Sequence, residues 1–222
     1  MRIKEKSITQ LRQESSHWFI NLSFDKLISY DFKMKKFLPI LFLLIITSCS
    51  KEVPLEVSIE QTVIRNNIRY LVNSEEPFTG TTLYYNENGQ LFERVNFKDG
   101  QYDGPFEQFY DNGQLREKGN FKDGQLNGLN QIFDDNGLLR EKVNFKDGQL
   151  NGPFEEFHDN GQLYQKGTYK NGKEDGSWEQ FYENGQLHRK GTYKNGELDG
   201  TVVWYEKDGR STTYEYKNGE NQ

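Results

Sequence analysis

Among 222 residues the chain has one cysteine, Cys49, and three histidines. A lone thiol excludes a disulfide framework, and no Cys/His spacing suited to a metal is present. Hydrophobic residues reach only 33%. Burial therefore falls to 16 Phe, 13 Tyr and 3 Trp, side chains that each carry a large contact area. The apolar run Phe37 to Ile46 is too short to cross a bilayer, which takes about 20 residues. Basic charge is scarce after residue 48: Lys and Arg number 20 against 30 Asp and Glu, a net −10. Nucleic acid and anionic lipid surfaces select basic patches, so neither is an expected partner. No glycine-rich phosphate loop opens a helix, because the glycines stand singly at turns.

What the chain does have is a period. Asn88-Gly89 returns as Asn112-Gly113, Asn136-Gly137, Asn160-Gly161 and Asn184-Gly185, then as Asp208-Gly209, always 24 residues on. Between these fall Lys98-Asp99-Gly100, Lys122-Asp123-Gly124, Lys146-Asp147-Gly148, Lys170-Asn171-Gly172, Lys194-Asn195-Gly196 and Lys217-Asn218-Gly219. A fixed period of this size is one supersecondary unit copied along a line, whose units bury their apolar faces only by stacking. With position 1 at Gly80, Gly104, Gly128, Gly152, Gly176 and Gly200, position 6 is always Phe or Tyr, and position 12 is Leu in five copies. Position 18 is Phe or Tyr in five copies, with Tyr216 its equivalent after a one-residue deletion in the last, and position 3 is mostly large, as in Phe106, Phe154, Trp178 and Val202.

Each unit reads as strand, turn, strand, turn. The even spacing of positions 12 and 18 places Leu115 and Phe121 on one strand face. A two-residue Asn-Gly turn would send position 6 to the other face. A three-residue turn such as Asp111-Asn112-Gly113, ending in a left-handed glycine, pairs Phe109 with Leu115, and the apolar pattern favours it. The other side of the second strand carries Lys118, Lys142, Lys166 and Lys190 with Arg94, preceded by Glu93, Glu117 and Glu141. This reads as a solvated face with ion pairs of little energetic weight.

Ahead of the repeats, Gln61 to Arg65 and Ile68 to Val72 flank Asn66-Asn67 and read as a cap hairpin. Further upstream, Lys33-Met34-Lys35-Lys36 precedes the apolar run, which ends in Ile46-Thr47-Ser48-Cys49. That is the architecture of a secretory signal, and its end resembles a bacterial lipobox with Cys49 as the lipid attachment residue. Two or three acyl chains would anchor such a protein stably. Ser50 in place of an Asp favours the outer membrane by analogy. The expected organisation is a signal peptide over 34–48, a tether over 49–56, a cap hairpin over 57–79 and six repeats over 80–222. Residues 1–33 are expected to be an annotation artefact ahead of a start at Met34; the alternative is a cytoplasmic extension.

The run Gly176-Ser-Trp178-Glu-Gln-Phe181-Tyr182-Glu-Asn184-Gly185-Gln-Leu187-His-Arg-Lys190-Gly191-Thr-Tyr193-Lys194-Asn195-Gly196 resembles the variant form of the MORN repeat. The resemblance covers about residues 60–222 and implies an all-β fold: an elongated array of antiparallel β-hairpins in a single twisted, meandering sheet. It also implies use in protein contacts, and many bacterial members carry a YwqK-like antitoxin label.

No catalytic constellation, metal site or cofactor is expected. His158 and His188 read as surface or packing variants. The Asp-Asn-Gly tripeptides lack the alternating ligands and terminal Glu of a calcium loop. The expected function is a lipid-anchored, non-enzymatic scaffold binding another protein at the bacterial envelope, with Phe109, Phe157, Trp178, Phe181 and Trp204 as candidate binding residues. The alternatives are an antitoxin-type neutraliser and a glycan binder using exposed aromatics.

Overall fold

The computed structural model describes residues 55–222. The lead-in consists of β1 (Glu56–Ser58), a short 3-10 turn (Ile59–Gln61), β2 (Thr62–Arg65) and β3 (Ile68–Leu71). β2 and β3 pair as a hairpin around Asn66 and Asn67, both at positive φ, the conformation that a tight right-twisted turn requires.

The repeats supply β4 (Gly80–Tyr85), β5 (Leu91–Lys98), β6 (Gln101–Phe109), β7 (Leu115–Lys122), β8 (Gln125–Leu126), β9 (Gly128–Phe133), β10 (Leu139–Lys146), β11 (Gln149–Phe157) and β12 (Leu163–Lys170). They continue with β13 (Lys173–Glu174), β14 (Gly176–Phe181), β15 (Leu187–Lys194), β16 (Glu197–Leu198), β17 (Gly200–Tyr205), β18 (Ser211–Lys217) and β19 (Glu220–Asn221). Neighbours in sequence pair antiparallel throughout this run. The result is the meandering hairpin array that the period implied. Short pieces such as β8 and β9 serve as one strand, because Asn127 between them still donates its N–H to Asn120 O at 2.8 Å. β1 adds one parallel strand along β4.

Two turns alternate. The Asp/Asn-Gly turns hold two residues at positive φ, as at Asp99 (50°) and Gly100 (77°), and pair Lys98 with Gln101. Asp and Asn tolerate this region where bulkier residues do not. Each such turn also reaches back one unit: the Gly124 N–H donates to Tyr102 O, and that of Gly148 to Leu126 O. The other turn is the three-residue Asp111-Asn112-Gly113, closed by a 2.8 Å bond from Tyr110 N to Gln114 O. It pairs Phe109 with Leu115, the register that the apolar pattern favours.

The consequence of that register differs from the simple parity reading. Gln108 pairs with Glu117 and Phe109 with Leu115, so Arg116 is an extra, bulged residue. A bulge reverses which face the following residues take. Leu115 therefore lies with Phe109 and Lys118 on one face, and Phe121 lies on the other. Positions 12 and 18 do not share a face. Nor do the paired charges: Lys118, Lys142 and Lys166 sit 5.5–5.7 Å over Phe133, Phe157 and Phe181, whereas Glu117 and Glu141, one residue before Lys118 and Lys142, and Glu93 before Arg94 turn toward the core face.

That core face is built from positions 3, 16 and 18. Phe78, Val95, Phe97 and Phe106 form one cluster; Val143, Phe154 and Trp178 form a second. Position 16 is Val95, Gly119, Val143, Gly167 and Gly191, so Phe106 lies between Val95 and Gly119 and Phe154 between Val143 and Gly167. Phe106 pairs with Gly119, Phe154 with Gly167 and Trp178 with Gly191, while the small Thr82 pairs with Val95. A Cβ on Gly167 would fall inside the Trp178 indole. Gly167 has no positive φ, so the need for glycine there is steric rather than conformational. Gly167→Ala is expected to displace Trp178 and cost about 1–3 kcal/mol. Urea denaturation measures it, and an unchanged midpoint would show that the glycine makes no room.

Candidate interaction face

The same face carries a second row, two residues from the core row on each strand. Following the ladder, it runs Tyr84, Glu93, Gln108, Glu117, Ile132, Glu141, Glu156, Gln165, Gln180, Arg189, Trp204, each paired directly with the next. One residue per strand thus forms a continuous line across eleven strands. Its N-terminal and middle parts are acidic and amide-bearing; it ends in a guanidinium and an indole.

Its members are tied sideways. Gln108 Nε2 donates to Glu93 Oε2 at 2.8 Å, and Asn130 Nδ2 to Glu117 Oε1 at 2.9 Å. Gln165 Nε2 donates to Glu156 Oε2 at 2.6 Å, and Gln180 Nε2 to Gln165 Oε1 at 3.2 Å. The Arg189 guanidinium carbon lies 5.0 Å from the Trp204 ring centre and 5.8 Å from that of Tyr193, within reach of cation–π attraction. Beside it, Gln165, Tyr169, Glu174, Trp178, Gln180, Arg189 and Tyr193 line a cleft of about 240 Å³. Trp178 Nε1 and Arg189 Nε have no protein acceptor.

Electrostatics along the row are uneven. Burial, then the neighbouring Glu156 and Glu117, raise the Glu141 carboxyl above its ordinary range. Burial also raises the Tyr169 hydroxyl, helped by Glu174, Glu141 and Glu156. On the opposite face, hydrogen bonds from Lys166 and Lys190, both at 3.0 Å, lower the Glu179 carboxyl. That face reads as a set of exposed ion pairs with small net worth.

The sequence-chosen aromatics separate by face. Phe109, Phe157 and Phe181 are half-buried on the lysine-covered side. Trp178 is 8% exposed and belongs to the core, whereas Trp204 is 37% exposed at the end of the row. Cys49 lies outside the described residues. His158 replaces the Tyr110 and Tyr182 of sister repeats and makes the same latch: its Nε2 meets Phe181 O at 2.9 Å, as the hydroxyls of Tyr110 and Tyr182 meet Phe133 O and Tyr205 O. The row through positions 5 and 14 was not singled out from sequence, since its residues vary in chemistry from copy to copy. The signal for it was parity beside position 16, a column that was itself overlooked. Among the described residues no cluster of three or more His, Cys, Asp or Glu side chains could hold a metal ion.

A family model described as the MORN repeat variant matches residues 78–99, 102–123, 150–171 and 174–195. The chain is a MORN-variant repeat protein. The four matches follow the hairpin units, and the repeats between and after them carry the departures: Asn130 at a core position, and a last copy one residue short. No curated protein matches. Among solved structures, a single-residue mutant of S. aureus TarM, in complex with fondaparinux, α-GlcNAc-glycerol and UDP, is 15% identical over 53% of this chain and 21% of that one, with a TM-score of 0.29. The accessory secretory protein 1, 2 and 3 structure of Streptococcus pneumoniae is 15% identical over 71% of this chain and 22% of that one, with a TM-score of 0.24. The chain thus spans about a fifth of these proteins, and likeness at such scores extends neither to fold nor to activity.

Removing the Glu141 charge tests the row's electrostatics. A carboxyl whose folded pKa is raised costs stability once ionised; the cost is full above the raised value and absent below the unfolded one. Glu141→Gln is therefore expected to stabilise the protein at neutral pH by about 0.5 kcal/mol, the scale for a partly exposed group. The gain should vanish as pH falls below the ordinary Glu value of about 4.3. Denaturation midpoints of the two proteins at pH 7 and pH 3.5 check the sign; a gain that persists at pH 3.5 would contradict it.

Proposed function

We propose that this repeat protein is a lipid-anchored, non-enzymatic scaffold that binds another protein at the bacterial cell envelope, most consistent with the outer membrane. The observation that carries the reading is the eleven-strand row on the core face, with acids and amides along most of its length and Arg189 and Trp204 at its end. Such a line offers spaced contacts to an extended surface rather than an enclosed site for a small substrate. Arginine and tryptophan are residue types in which interface energy concentrates. The anchor rests on the signal-like run ending at Cys49.

An antitoxin-type neutraliser is a narrower form of the same protein-binding reading. Glycan stacking is less favoured: Trp178 has no open ring face, and the Trp204 ring is flanked by Arg189 and by His188 at 5.3 Å.

Affinity capture from envelope extracts with the native protein should return a stoichiometric partner. The combined Arg189→Ala and Trp204→Ala change should weaken its retention at least about tenfold; undiminished capture would move the interface elsewhere. Labelling cells with radioactive palmitate should mark the wild-type chain and not Cys49→Ala. Equal labelling of both would remove Cys49 as the attachment residue.

A further inference from the structure

The β2–β3 hairpin, the first repeat and the Asp123-Gly124 turn of the second line a groove of about 280 Å³, separate from the row described above. Ile64, Arg69, Phe97, Tyr102 and Asp123 line it. Arg69 is only 8% exposed. Its backbone is fixed on both sides, with its N–H donated to Gly100 O at 3.0 Å and its carbonyl accepting from Phe78 N at 2.8 Å. Gly100 lies so close to Ile68 and Arg69 that a side chain there would collide with both. The guanidinium therefore starts from a backbone that cannot swing away.

Its own partners are few. Nη1 donates to Thr62 Oγ1 at 2.6 Å, and the Phe97 ring centre lies 4.9 Å from the guanidinium carbon. Nε has no acceptor. None of the ion pairs among the described residues includes Arg69. An arginine stays charged inside a protein and carries five donors. One hydroxyl and one ring face return less than a buried guanidinium loses on leaving water. The planar donor fork is matched best by a carboxylate.

The walls define the rest of the ligand. Ile64 is 58% exposed and Tyr102 40%; the Tyr102 ring lies 4.8 Å from that of Phe97. Asp123 lines the same groove from an exposed turn and repels an anion, so it fixes orientation: the carboxylate goes toward Arg69. We propose that this groove takes the C-terminal carboxylate of a peptide that ends in an apolar residue. The volume suits one such terminal residue and not a larger element.

The inference stands apart from the eleven-strand row and is read with synthetic peptides, so failure to capture an envelope partner leaves it intact. Amide cross-peaks of Gly100, Gln101 and Gly124 in the full-length chain are followed by NMR. Three probes are added in turn: acetyl-Ala-Ala-Leu with a free carboxylate, the same peptide as its C-terminal amide, and octanoate. The free acid should shift these peaks saturably, and the amide should bind at least about tenfold more weakly. Ile64→Asp places a competing carboxylate on an exposed wall directly across the hairpin from Arg69; it should abolish the shifts while the remaining spectrum is kept. Equal binding of acid and amide overturns the proposal, as does full binding to Ile64→Asp. Octanoate binding without peptide binding overturns the assignment to a peptide terminus.

Discussion

The bulged residue that follows the three-residue turn in each of the first five units decides which face the side chains after it take. At Arg116 one strand holds an extra residue against its partner. Before the bulge Leu115 faces the lysine side; after it Glu117, Gly119 and Phe121 face the core. Without that step the leucines and the position-18 aromatics would crowd one face and the other would be left almost wholly charged. With it, both faces hold aromatics, one row sealed by packing and the other lying under lysine stems. A sheet one layer thick has no second layer to cover it, so sharing the aromatics between faces keeps each apolar row narrow enough to be sheltered by its neighbours.

This arrangement explains what could be read from the sequence. The period, the turn residues and the Phe109–Leu115 register follow from local chemistry: positive φ at Asn, Asp and Gly, and apolar residues opposite one another. The Gly and Val residues at position 16 were also present in the sequence, but their meaning depends on which residue lies across the ladder. Gly167 looks like a weak strand position until Trp178 is placed over it. The bulge was hidden for a similar reason. Arg116, Arg140, Tyr164 and His188 share no side-chain property, because the extra residue is defined by backbone pairing and not by its own chemistry. Hence the face of Glu117 could not be assigned by counting, and with it went the row that forms the candidate interaction face.

The two faces also treat charge differently. On the lysine side, Glu107 lies 3.7 Å from Arg94, Glu155 3.0 Å from Lys142, and Glu179 3.0 Å from both Lys166 and Lys190. On the core side the acids accept from amides, Glu93 from Gln108 and Glu156 from Gln165, and Glu141 is left to its acidic neighbours. Neutral amide donors satisfy a carboxylate without cancelling its charge. Among the described residues the row's carboxylates make no ion pair, although Arg116 donates to Gln108 within it, whereas Glu107, Glu155 and Glu179 on the lysine side are paired. A difference of this kind affects steering and selectivity more than affinity, which makes the core side the candidate interaction face.

The third repeat interrupts both patterns. Asn130 takes the core position that Phe106 and Phe154 hold in the units on either side; it is buried, with its Nδ2 on Glu117 and its Oδ1 unpartnered. The two apolar clusters end on opposite sides of it. In a linear array, stability is close to a sum over adjacent interfaces, so an amide in place of a ring lowers the term at one junction and leaves the rest unchanged. The backbone ladder runs through without a gap: β7 pairs with β9, and β9 with β10. Hydrogen bonding thus makes the sheet continuous while side-chain packing divides it. The ladder fixes the line of the row through positions 5 and 14, and the packing sets how firmly each segment of that line is held.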